Sequence, residues 1–126
     1  MSFQLSMVGL IVADMTTALQ FYRRLGLDIP ESEETKTFVE LRMESGVTVF
    51  WDRFFAERHY PDREPAKGGS RVMLEFFLES EDAVDAKFEE LVGFGYPGPM
   101  APEQTVGPYA AMVEDPDGNI VLLTAG

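Results

Sequence analysis

The protein has 126 residues, 45% of them apolar and 25% charged, which suits one globular domain with one principal core and argues against disorder or a fibrous repeat. Twenty-two Asp and Glu against ten Lys and Arg leave a net charge of −12, a field that repels nucleic-acid phosphates and anionic membrane surfaces. With no cysteine in the chain, disulfides, thiolate zinc sites and a cysteine nucleophile are excluded, and a reducing, cytoplasmic setting is expected.

Residues 5–12 are rich in long and branched apolar side chains and read as a buried strand. The apolar stretch within it is only six residues long, has no basic region before it and runs into Asp14, unlike a signal peptide or a membrane span. Asp14 is placed to cap a helix over 15–25, whose apolar stripe is Ala18, Tyr22 and Leu25 and whose stop is Gly26. Strands over 38–43 and 47–52 follow, joined by a turn at Gly46. Residues 53–69 mix charges, prolines and the Gly68-Gly69 pair and read as a connector, with the sole histidine, His59, at its surface.

The pattern then repeats. A second apolar strand covers 71–78, Ser80 is the second cap, and Val84, Phe88 and Leu91 form the stripe before Gly93. From cap to stripe the steps are +4, +8 and +11 in both copies, and a methionine, Met7 or Met73, stands seven residues before each cap. Residues 94–108 leave room for at most one short strand. The last two strands, 109–114 and 119–124, are joined by Asp115-Pro116-Asp117-Gly118, whose proline, aspartates and glycine each suit a type I turn. The domain is thus divided into module one over about 1–53, a connector over 54–69 and module two over about 70–126.

Two such modules, with Val12-Ala13-Asp14 leading into Phe21-Tyr22 and Gly26-Leu27, and with Glu114-Asp115-Pro116-Asp117-Gly118-Asn119 near the end, resemble the vicinal oxygen chelate superfamily of glyoxalases, bleomycin-resistance proteins and extradiol dioxygenases. The resemblance implies an α+β fold of two tandem βαβββ modules forming a curved mixed sheet around a cleft. Enzymatic members of that superfamily place four His or Glu metal ligands on the inner faces. The matching positions here are Met7, Phe50, Met73 and Leu122, none of which offers the oxygen or imidazole donor that a hard divalent ion needs. Their immediate neighbours Ser6, Val8, Val49, Trp51, Val72, Leu74, Val121 and Leu123 do not restore a ligand set, so no metal and no cofactor is expected.

Among metal-free relatives, the bleomycin-resistance type is closest in character, sharing an acidic balance and a strand like Val47-Thr48-Val49-Phe50. Such proteins sequester a cationic drug at a dimer interface, so the resemblance implies a homodimer. The aromatic beside the last hairpin, often tryptophan in that family, is replaced here by Thr105-Val106-Gly107-Pro108-Tyr109.

Strand alternation about the four positions places Asp52 with Phe50, Glu75 with Met73 and Ile120 with Leu122, while Phe38, Glu40 and Arg42 line the neighbouring strand. The expected ligand-binding set is Met7, Phe38, Phe50, Asp52, Met73, Glu75 and Leu122. Glu75 interrupts the apolar run Met73-Leu74-Glu75-Phe76-Phe77-Leu78; a buried, unpaired carboxylate would be costly there, so a partner is expected, either Arg42 or Arg71 or a cationic ligand. The expected function is sequestration of a small, partly aromatic, cationic drug or metabolite. The alternative is a metal-independent lyase or isomerase acting through Glu40, Asp52 or Glu75; no Ser-His pair or phosphate-binding glycine loop is present.

Overall fold

A computed structural model describes residues 3–65 and 72–125. The chain divides into two compact units, Met1–Arg23 with Leu27–Pro65 and Arg24–Gly26 with Ala66–Gly126, each with its own sheet.

In the first unit, strand β1 (Val8–Ile11) leads into helix α1 (Met15–Leu25), a 3₁₀ turn (Glu31–Thr35), strands β2 (Phe38–Arg42) and β3 (Thr48–Asp52), and a short helix α2 (Phe55–His59). Asp14 starts α1: its Oδ2 accepts the Thr17 N–H at 3.0 Å and the Thr17 hydroxyl as well. These bonds, the hydroxyl one first, hold the Asp14 carboxyl below its ordinary 3.8, so the cap is fully present above that pH and is lost as pH falls through the depressed value. The helix stops where Gly26 turns left-handed at φ +132° and the Leu27 N–H reaches back to the Tyr22 carbonyl at 3.0 Å.

The sheet order is β1-β3-β2, with β1 parallel and β2 antiparallel to β3. Alternation buries Leu10, Val39, Val49 and Trp51 on one face and leaves Gly9, Phe38, Glu40 and Phe50 on the other. Met15, Ala18, Leu19, Tyr22 and Leu25 of α1 are buried, and the Tyr22 ring lies 5.3 Å from that of Trp51. The buried indole N–H of Trp51 has no acceptor among the described residues, a cost of about 1–3 kcal/mol set against the apolar area of the largest ring in the core.

The second unit runs β4 (Met73–Phe77), α3 (Glu81–Gly93), β5 (Met100–Gln104), β6 (Tyr109–Glu114) and β7 (Ile120–Ala125), in the sheet order β4-β7-β6-β5. Ser80 caps α3 by accepting the Ala83 N–H at 3.1 Å, and Glu81 and Asp82 suit the positive end of the helix. Val84 and Leu91 are fully buried on the face that α3 turns to the sheet, where Ala111, Val113, Val121 and Leu123 are buried in turn. In the β6–β7 turn the Gly118 N–H bonds the Asp115 carbonyl at 3.0 Å with Gly118 at φ +86°, and the Asp115 carboxylate accepts the backbone N–H groups of Asp117 and Asn119.

The order β1-β3-β2 maps onto β4-β7-β6, with the first and last strands of each module parallel neighbours, so the repeat read from cap and stripe offsets is a repeat of topology. The 3₁₀ turn stands where the second module has β5, which leaves the first sheet three strands. Helix α1 has the expected bounds, and β6 does too. The first strand is shorter than 5–12: its ladder with β3 begins at the pair Val8 and Val49, and Phe3 and Leu5 before it are exposed. The connector contains α2, which its composition concealed. Gly68, Gly69 and Arg71 lie outside the described residues. Among the described residues no helix is long and apolar enough to cross a membrane.

Tyr109 points to the helix side of its sheet, where its hydroxyl donates to Asp85 of α3 at 2.5 Å. That bond to an anion raises the Tyr109 hydroxyl from 10.0 to about 12, so the stabilisation is full below pH 10.0 and disappears as pH rises through about 12. The stability difference between the wild type and Tyr109→Phe, followed by urea denaturation, is expected to shrink over that window; a difference that stays constant with pH would contradict the assignment.

Candidate functional site

Each sheet has one face turned to buried side chains and one that remains accessible, and the expected ligand residues fall on or beside the accessible faces. On the first sheet the register aligns Gly9, Phe50 and Glu40 across three strands. The Phe50 ring leans over the bare backbone of Gly9: a methyl group there would sit 2.1 Å from the Phe50 Cζ. Phe38 stacks on Phe50 with centroids 5.0 Å apart and planes 26° apart, and is itself 43% exposed. The result is a stacked aromatic pair, with exposed Glu40 and Arg42 on the same face. Met7 precedes β1 and is half-buried.

Asp52 belongs to the same face by register, but its carboxylate is committed elsewhere. It is buried, and its two oxygens accept the N–H groups of Phe54 at 3.0 Å, Phe55 at 2.7 Å and Ala56 at 2.9 Å, which closes the start of α2. The structure thus gives Asp52 a capping role that strand alternation did not foresee. His59, on α2, is exposed and lies 4.6 Å from the Phe55 ring.

On the second sheet, Met73, Glu75 and Phe77 of β4 share a face with Ile120, Leu122 and Thr124 of β7. Met73 and Phe77 are well exposed and Leu122 is half-buried. Glu75 corrects the expectation of a buried carboxylate: it is exposed on β4, an edge strand, and its partner among the described residues is the Thr124 hydroxyl, which donates to Oε2 at 3.0 Å, while Arg71 lies outside the described residues. Its desolvation cost is correspondingly small.

The four positions that the superfamily resemblance assigns to metal ligands carry two thioethers, one phenyl ring and one isobutyl group, and Phe50 fills the space beside Gly9 with carbon. Among the described residues no three His, Cys, Asp or Glu side chains come together. These donors do not fit the family's divalent ion. Gly9 and Thr124 escaped the reading of the sequence. A glycine inside a strand is itself a sign of close approach, and Thr124 is one alternation step beyond Leu122.

Residues 4–123 match the sequence profile of the Glyoxalase/Bleomycin resistance protein/Dioxygenase superfamily. The chain belongs to that superfamily. No curated protein matches it. Its fold is shared by a hypothetical protein from S. aureus, at TM-score 0.82 and 21% identity over 99% of this chain and 95% of that one. A glyoxalase/bleomycin resistance protein/dioxygenase family enzyme from Burkholderia phytofirmans PsJN superposes at TM-score 0.79 and 21% identity, covering 95% and 96%. A glyoxalase/dioxygenase from Nostoc punctiforme gives 0.69 and 19%, covering 97% and 90%. At such identities the likeness to the superfamily's solved structures is one of fold.

Two substitutions separate the structural residues of this site from its accessible surface. Asp52→Ala strips three N–H groups of their acceptor and is expected to lower stability by about 2 kcal/mol, with Asp52→Asn recovering part of it; equal denaturation midpoints for wild type and Asp52→Ala would refute the capping role. Gly9→Ala pushes Phe50 off its seat and is expected to cost about 1 kcal/mol and to change the Phe38 and Phe50 ring resonances in NMR spectra; unchanged rings would refute the close packing.

Proposed function

We propose that this superfamily member binds a small, partly aromatic, cationic drug or metabolite without a metal and sequesters it, acting as a cytoplasmic homodimer. The observation that carries the reading is the stacked Phe38–Phe50 pair on an accessible sheet face, seated on a glycine, with a phenyl ring where the superfamily's enzymes hold a metal ligand. Stacked rings left in contact with solvent forgo the burial that usually stabilises them; a flat ligand restores it. Met7 stands just before β1 on the first unit, while Met73, Glu75 and Leu122 make a separate set on the sheet of the second, and the polarizable methionines suit an aromatic guest. The cysteine-free, acidic composition supports the cytoplasmic setting, and the exposed Phe3 and Leu5 support assembly that would cover them.

The lyase or isomerase reading, through Glu40, Asp52 or Glu75, gains no support: Asp52 is spent on α2, and the partner that Glu75 has among the described residues is the Thr124 hydroxyl. The test uses 2-naphthol as a flat aromatic probe, with binding followed by the ring and methyl resonances of the full chain. Phe38→Ala and Phe50→Ala are each expected to weaken it roughly five- to tenfold, as loss of a stacked aromatic contact of about 1 kcal/mol or more implies. Binding is expected to survive prior treatment with EDTA; a chelator that abolishes it would overturn the metal-independent reading.

A further inference from the structure

We infer that Thr124 is a positioning residue that orients Glu75 as the recognition point for an organic cation bearing N–H groups on a flat apolar body, an aryl amidinium being the type. The inference rests on the binding reading above and specifies the charge of the ligand and the residue that selects it.

Three observations on the second sheet carry it. Thr124 is 1% exposed, so its hydroxyl must find an acceptor within the protein, and it finds Glu75 Oε2 at 3.0 Å. That bond fixes one oxygen of an otherwise mobile side chain, while Oε1 receives no hydrogen bond among the described residues. The surroundings are apolar: Met73 and Phe77 flank Glu75 along β4 on the same face, and Leu122 is its cross-strand partner. A carboxylate held rigid among exposed apolar groups forms its strongest bonds with charged donors, and the apolar neighbours cover the rest of the guest.

Charge decides the sign. Residues 66–126 hold eleven Asp and Glu against three basic residues, Lys67, Arg71 and Lys87, the last of which lies on α3 and pairs with Glu90 at 2.6 Å. That excess of negative charge favours a positive guest. A bare metal ion does not suit the place, since one carboxylate and one hydroxyl fall far short of the six or more oxygens that a hard cation takes.

The test compares three probes of one shape on the full chain: 2-naphthamidine, trimethyl(2-naphthyl)ammonium, which lacks N–H, and 2-naphthoate. Binding is read from the methyl resonances of Met73 and Leu122 in the wild type, Glu75→Gln, Thr124→Val and Thr124→Ser. Naphthamidine is expected to shift both methyls saturably, with affinity about tenfold weaker in Glu75→Gln and about threefold weaker in Thr124→Val. Thr124→Ser, which keeps the hydroxyl, is expected to restore wild-type affinity. The quaternary probe should bind more weakly than naphthamidine, and naphthoate should leave the methyls unmoved. Wild-type affinity for naphthamidine in Thr124→Val, or naphthoate binding as tightly, would overturn the inference. If all three probes bind alike and no variant matters, the inference falls and the binding reading stands; if no probe moves either methyl, the inference falls, and the binding reading is decided by the Phe38 and Phe50 rings.

Discussion

The parallel pairing of the first and last strand of each module is the constraint on which the rest depends. β1 lies against β3, and β4 against β7, although each pair is separated in sequence by a helix and at least one further strand. A parallel neighbour requires a crossover, and the crossover brings a helix. Residues at alternate positions then have no choice of side: Leu10, Val49 and Trp51 are buried in the first module, Val121 and Leu123 in the second, and the residues between them face out. A slip of one residue in either ladder would exchange the two sets, and the apolar pattern on the buried side resists it.

The accessible faces owe their character to that arrangement. What lies on them is not left over from the core: Phe38 and Phe50 stack, Gly9 makes room, and a buried hydroxyl holds Glu75. The two faces differ in kind, the first offering ring area and the second a fixed charge among flexible thioether and alkyl groups. At the four positions that the resemblance assigns to metal ligands, Met7, Phe50, Met73 and Leu122, both faces carry carbon and sulfur.

The fold was legible in the sequence wherever a local signal had a single meaning. Asp14 and Ser80 before apolar stripes, Gly26 after one, and the Asp115 to Gly118 turn each specify backbone geometry within a few residues, and each appears as read. The site was legible only by alternation, which gives the side of a sheet and nothing about what a side chain does there. That is why Asp52 looked like a ligand residue: its face follows from period two, whereas its three hydrogen bonds depend on a helix that comes after it. The same limit made Glu75 look buried, since an apolar run does not reveal whether its strand lies at an edge, and a four-residue apolar neighbourhood reads alike in both settings.

Helix α2 owes its persistence to the strand that precedes it. Five residues cannot sustain a helix alone, because fixing the first turn costs more than its few bonds return. The N–H groups at its start, those of Phe54, Phe55 and Ala56, all bond the carboxylate of Asp52, the last residue of β3, so one side chain ties the helix to the strand. A local opening that frees that carboxylate releases the turn, and with it the display of Phe55 and His59.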